Sequence, residues 1–355
     1  MNKSASVAPT PFRVPAQLLV MRGDSSGMKK CLCLTTFLMA LSALLVFSQT
    51  SADNPRLKKA LEQYPEADAD KNGNLTIEEA KAFKNKRGKT EEAAPQGAVP
   101  KGAVRHVYKT VGTTELALFV YAPENHKADA KAPAIVFFFG GGWNSGSPTQ
   151  FEKQAQHFAK RGMVAITADY RVKSRHGVPV VECVKDAKAA IAWVRENAQR
   201  LGIDPNKIAA SGGSAGGHLA AATGTISGFG SDERPNAMIL FNPACTLGPI
   251  ADWQPKEAKT NVVVERFGVE PKEISPAHHI GPHTPPTLIL HGKKDTTVPY
   301  DSVVAFDSVM KKADRPCKLV GYEGAGHGFF NSGESYTKTI AEADAFLVDL
   351  GWLKK

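Results

Sequence analysis

Between Ile208 and Ala222 the chain reads Ile-Ala-Ala-Ser-Gly-Gly-Ser-Ala-Gly-Gly-His-Leu-Ala-Ala-Ala, a stretch that few folds can accommodate. A short apolar run enters a cluster of small residues, and an alanine-rich run of helical character leaves it. Gly212 to Gly216 thus forms G-x-S-x-G at a predicted strand-to-helix turn, where missing side chains let a strained backbone lift the Ser214 hydroxyl above a sheet. A serine so placed is a candidate nucleophile. The same residues also suit a plain turn packing a helix closely on a strand, so the assignment depends on partners elsewhere.

The chain around this turn alternates strand and helix patterns from Val104 onward. Residues 104–110 and 115–121 alternate like a hairpin, and 134–139 is a continuous apolar run typical of a central strand. Further strands are predicted at 164–169, 208–211, 237–241, 287–290 and 318–322, with helices at 151–161, 181–199, 302–312 and 337–350. The expectation is an α/β domain over 104–355, a mostly parallel sheet flanked by helices on both faces. In such a sheet the functional residues sit at the carboxyl ends of the strands.

Two partners for Ser214 meet that condition. Asp295 follows the strand Thr287-Leu288-Ile289-Leu290, and His327 lies among glycines after Leu319-Val320-Gly321-Tyr322. In an acyl-transfer reaction a histidine takes the serine proton and returns it to the leaving group, while a carboxylate fixes the imidazole tautomer. Ser214, Asp295 and His327 occur in an order used for that purpose. Gly140-Gly141-Gly142 follows the first central strand and exposes backbone amides, so the N–H groups of Gly141, Gly142 and Ala215 are the candidate oxyanion donors. Phe139, Trp143 and Phe329 are candidate linings of a substrate pocket. Residues 245–275 show weak periodicity and are a candidate wall or lid.

Together Gly140-Gly141-Gly142-Trp143, Asp169-Tyr170-Arg171, Gly202-Ile203-Asp204-Pro205, Gly212 to His218 and Gly326-His327-Gly328-Phe329 resemble secreted bacterial α/β-hydrolase esterases. The resemblance is to the hormone-sensitive-lipase and acetyl-esterase group, with its acetylxylan- and feruloyl-esterase-like members. It implies an α/β-hydrolase fold and a serine carboxylesterase acting on short acyl esters or acylated carbohydrate, with no cofactor for catalysis. That family usually carries a histidine before the glycines to brace the loop; here the residue is Phe139. A prolyl-oligopeptidase-like peptidase shares the three residues, but its propeller domain has no room before Val104. A third reading is a calcium-dependent binding or scaffold protein with an inert hydrolase domain.

The calcium in that last reading comes from the N-terminal part. Asp68 to Glu79 fits the twelve-residue EF-hand loop, with oxygen donors at Asp68, Asp70, Asn72, the Asn74 carbonyl and Glu79, and the turn glycine at Gly73. Leu57, Leu61 and Tyr64 supply an entering helical stripe, and Ala80 and Phe83 an exiting one. There is no second loop of this kind in the sequence, so pairing with another protein is one expectation for it. Upstream, Met28-Lys29-Lys30, the apolar run 31–47 and Ser48 to Ala52 have the parts of a signal peptide, with cleavage expected after Ala52 and translation starting at Met28 or Met21. The expected organisation is therefore a leader over 1–52, a calcium-binding segment over 53–90, a linker over 91–103 and the catalytic domain, in a secreted or periplasmic protein without a lasting membrane anchor. Of the net charge of +9, almost half lies in residues 1–52, and the remainder gives no nucleic-acid signal.

Overall fold

The computed structural model describes residues 50–83, 99–250, 253–255 and 260–355. Residues 1–49, most of the expected leader, and 91–98, most of the expected linker, lie outside the described residues.

Eight strands form one sheet: β1 (Val104–Val111), β2 (Thr114–Tyr121), β3 (Ala132–Phe138), β4 (Val164–Ala168), β5 (Ile203–Gly213), β6 (Ala237–Phe241), β7 (Thr287–Gly292) and β8 (Cys317–Tyr322). Their order is β1-β2-β4-β3-β5-β6-β7-β8. The β1–β2 hairpin is antiparallel and β2 runs antiparallel to β4, whereas every pairing from β4 across to β8 is parallel.

Strand β3 is apolar at every position because both faces of the sheet are covered. In β3, Ala134, Val136 and Phe138 face one core, and Ile135 and Phe137 face the other. The first core is closed by α5 (Val180–Glu196), α6 (Ala215–Thr225) and α8 (Tyr300–Lys312). The second is closed by α3 (Glu152–Lys160) and α9 (Gly333–Asp349), which bring Phe158 and Leu347 onto Phe137 and its neighbours. Two short helices were not anticipated from the pattern: α4 (Lys173–His176), and α7 (Thr260–Phe267) within the expected wall. Both are too short for helical periodicity to stand out.

The contact that positions the site lies between α6 and β3. All eleven residues of α6 are buried, and the helix comes so near that a Cβ at Gly216 would lie 2.0 Å from the Phe138 carbonyl oxygen. Between β5 and this helix the chain reverses at Ser214, whose φ of 55° and ψ of −117° are strained for a residue with a side chain. The Ser214 N–H, donated to the Phe241 carbonyl at 2.9 Å, ties the reversal to β6.

The N-terminal residues form a small helix–loop–helix unit. Helix α1 (Pro55–Gln63) is capped by the Asn54 side chain, which accepts from Arg56 N, and α2 covers residues 77–83. Leu57, Ala67 and Leu75 form its core, with Leu61, Tyr64, Ala80 and Phe83 packed around them. Thr50 and Ser51, on the leader side of the expected boundary at residue 53, bond to this unit. Thr50 forms an antiparallel bridge with Thr76, Ser51 N donates to Leu75 O at 2.8 Å, and Leu75 N donates to Ser51 Oγ at 2.9 Å.

The α6–β3 contact leaves no room for a methyl group. Gly216→Ala is expected to destabilise the domain by about 3 kcal/mol, the upper end for overpacking, as measured by urea unfolding.

Candidate active site

The three residues named from strand ends meet above the carboxyl edge of the sheet. Ser214 Oγ donates to His327 Nε2 at 2.9 Å, and His327 Nδ1 donates to Asp295 Oδ2 at 2.7 Å. Because the carboxylate only accepts, the imidazole proton sits on Nδ1 and Nε2 is free to receive the serine proton. Asp295 itself lies in the loop after β7, its side chain wholly shielded from solvent. Its other oxygen accepts from Thr297 N at 2.8 Å and Val298 N at 2.9 Å. Burial opposes its ionisation, but hydrogen bonds from His291, His327 and Val298 N outweigh that and hold its pKa well below the usual carboxylate range.

Opposite His327 lies the glycine loop after β3. Gly140 N donates to Gln150 Oε1 at 2.6 Å, so this amide is engaged. The amides of Gly141 and Gly142 have no acceptor among the described residues. Ala215, the first residue of α6, has no intrahelical acceptor for its N–H. Gly141, Gly142 and Ala215 therefore offer donors on the two segments that flank the serine hydroxyl, where a developing oxyanion needs them.

Phe139 and Trp143 do not line an open pocket. Phe139 is 1% exposed and stacks on Tyr170 with centroids 4.1 Å apart, while the Tyr170 hydroxyl donates to the Phe139 carbonyl at 2.7 Å. Burial pushes the Tyr170 phenol well above its ordinary pKa, which keeps it a donor. A ring stack and a carbonyl bond thus brace the loop at the position where the resemblance implies a histidine. Trp143, 8% exposed, turns inward because its indole finds a buried partner, His218. Phe329 is half-buried against Tyr322 and Phe330.

Sequence reasoning missed the residues that join these loops. Gln150 bonds the glycine loop and also donates to Asn331 Oδ1 at 3.3 Å, and Asn331 Nδ2 donates to Gly328 O beside His327 at 2.8 Å. Asn242, fully buried at the end of β6, accepts from Gly328 N at 3.1 Å. Arg266 of α7 donates to the Gly142 carbonyl at 2.7 Å. No local pattern marks any of them, since each acts across a gap in the sequence.

In the N-terminal unit, carboxylate oxygens of Asp68, Asp70 and Glu79 lie within 4.8 Å of one another. Backbone amides orient them: Gly73 N donates to Asp68 Oδ2 at 2.8 Å, Asn72 N to Asp70 Oδ1 at 3.1 Å, and Ala69 N to Glu79 Oε1 at 3.1 Å. Hydrogen bonds from Thr76 lower the Glu79 pKa most. Gly73, with φ at 83° and open space around it, is required for its backbone angle alone. Asn72 Oδ1 accepts from Asn74 N at 2.8 Å.

Sheet order, strained serine turn and loop placement together define an α/β-hydrolase. The family model described as BD-FAE matches residues 118–310, more than half of the chain, and the chain belongs to that family. Esterase LipC of Mycobacterium tuberculosis is 32% identical over 221 residues, covering 56% of this chain and 53% of that protein. An acetylxylan esterase of Xylanibacter ruminicola is 31% identical over 250 residues, covering 68% of this chain and 48% of that protein. The chain thus spans about half the length of these curated relatives. Among solved structures, Thermogutta terrifontis esterase 2 phosphonylated by sarin is 48% identical with a TM-score of 0.70, covering 74% of this chain and 99% of that one.

Since the folded-state pKa of Asp295 lies below its unfolded value, the carboxylate adds stability that is complete above about pH 4 and is lost as the pH falls further. The stability difference between the wild type and Asp295→Asn should therefore shrink from pH 7 to pH 3 in urea titrations.

Proposed function

We propose that this protein is a serine carboxylesterase that forms an acyl-enzyme on Ser214 and releases it with water. The observation that carries the reading is the Ser214–His327–Asp295 chain of hydrogen bonds facing the unengaged amides of Gly141 and Gly142. His327 takes the Ser214 proton as Oγ attacks the ester carbonyl, and Asp295 stabilises the resulting imidazolium. The amides of Gly141, Gly142 and Ala215 receive the negative charge on the carbonyl oxygen. His327 then passes its proton to the departing alcohol, and water repeats the sequence to free the acid. No cofactor takes part in these steps.

The substrate class is a short acyl ester, with acetyl or feruloyl groups on a polysaccharide as the leading candidates. The acetylxylan esterase among the relatives supports this. A peptidase of the prolyl-oligopeptidase type uses the same three residues, but no observation at this site favours it. Neither does any favour an inert hydrolase domain serving a calcium-dependent scaffold: its sequence argument was the Phe139 change, and Tyr170 braces that loop.

Calcium is the second part of the proposal. Asp68, Asp70 and Glu79 supply converging carboxylates, and Asn72 and the Asn74 carbonyl complete an oxygen set suited to a hard divalent cation. Its charge would offset the mutual repulsion of the three carboxylates. Ser51 already occupies the main-chain edge at Leu75, which supports binding within one chain; pairing with another protein would require that edge to open. The basic and apolar run over 28–47 supports export to the periplasm or beyond.

Ser214→Ala is expected to lower hydrolysis of a short-chain chromogenic ester by more than about 10³-fold, and equal rates would end the esterase reading. Calcium titration should release heat and raise the lowest unfolding transition, and Glu79→Ala should abolish both effects.

A further inference from the structure

Trp143 closes the glycine loop with a φ of 57°, a left-handed backbone angle unfavourable for a bulky side chain. Something must hold it there. Its indole is packed edge-on between the rings of His218 and Phe267, with centroids 5.1 and 5.8 Å away. The Arg266 guanidinium lies 5.4 Å from its ring centroid, and the same side chain holds the Gly142 carbonyl. The indole Nε1–H donates to His218 Nδ1 at 3.2 Å.

His218 is the joint of this arrangement. It is fully buried, and its Nε2 lies 2.6 Å from the Ile274 carbonyl. A carbonyl can only accept, so the proton sits on Nε2 and Nδ1 is left as the acceptor for Trp143. Burial lowers the His218 pKa to about 4, in keeping with a neutral ring. Its own N–H donates to the Ser214 carbonyl at 3.0 Å, in the first turn of the helix that follows the nucleophile. One side chain thereby links the nucleophile's helix, the loop bearing the Gly141 and Gly142 amides, and the 3-10 turn Pro271–Ile274.

We propose that His218 is a positioning residue: by accepting from Trp143 it locks the oxyanion loop to the helix behind Ser214, so that donors and nucleophile keep one geometry during acyl transfer. The proposal rests on the esterase reading. It assigns His218 no proton transfer, since both ring nitrogens are occupied within the core and neither faces the serine hydroxyl, which His327 engages.

The test separates the two ring nitrogens. An asparagine carries an oxygen near the place of Nδ1, whereas a glutamine amide reaches the place of Nε2 and leaves the indole without an acceptor. With a short-chain chromogenic ester, His218→Gln and Trp143→Phe should each lower kcat about tenfold to 100-fold, with KM changed less than about twofold, as expected for a displaced donor loop. His218→Asn should stay within about threefold of the wild-type kcat. The double variant Trp143→Phe/His218→Gln should be no slower than the slower single variant, because both remove the same bond. Wild-type kcat in His218→Gln, or losses that multiply in the double variant, would overturn the proposal. The Trp143 indole N–H proton resonance, assigned by its loss in Trp143→Phe, should move upfield in His218→Gln and not in His218→Asn; an unmoved resonance in His218→Gln also overturns it. If wild type and Ser214→Ala hydrolyse the ester equally, the esterase reading fails, and the resonance still decides whether the link exists.

Discussion

The near-contact between α6 and β3 governs the geometry of the site. With no side chain at Gly216, the helix settles onto the Phe138 carbonyl, and β5 can pass into α6 only through the strained turn at Ser214. That turn raises the hydroxyl above the sheet. It also brings the first amide of α6 beside the continuation of β3, which is the glycine loop. The candidate nucleophile and oxyanion donors are therefore neighbours because one helix and one strand are packed without an intervening side chain.

Around this contact, burial sorts the two histidines near the serine. His327 keeps a side chain 25% exposed and has one nitrogen on Asp295, the other on Ser214. His218 is sealed in the core and has its nitrogens on Trp143 and Ile274. The same imidazole thus bridges a carboxylate and a hydroxyl in one place and an indole and a carbonyl in the other. Asp295 completes the contrast, since backbone amides and two imidazoles hold it ionised despite its burial.

The N-terminal unit obeys a different constraint. Among the described residues its core holds only Leu57, Ala67 and Leu75 as buried apolar side chains, and its loop gathers carboxylates whose repulsion opposes folding. A bound cation would remove that repulsion. Ser51, through its N–H and its hydroxyl, satisfies the main-chain groups of Leu75 that a fully buried residue cannot leave unpaired.

What the sequence by itself determined was the order of elements and which residues stand at their ends. The apolar run of β3, the glycines around Ser214, and the placement of Asp295 and His327 after strands are local patterns, and period and strand direction are enough to read them. The convergence of Asp68, Asp70 and Glu79 in one loop is read from spacing in the same way. Tertiary structure alone decided which way Phe139 and Trp143 turn, because each direction depends on a distant partner: Tyr170 lies 31 residues from Phe139, and His218 lies 75 from Trp143. It alone joined Gln150 to Asn331 across 181 residues and Arg266 to Gly142 across 124. A hydrogen bond between two loops leaves no periodicity in either, so the braces of the site came into view only once the sheet had brought the loops together.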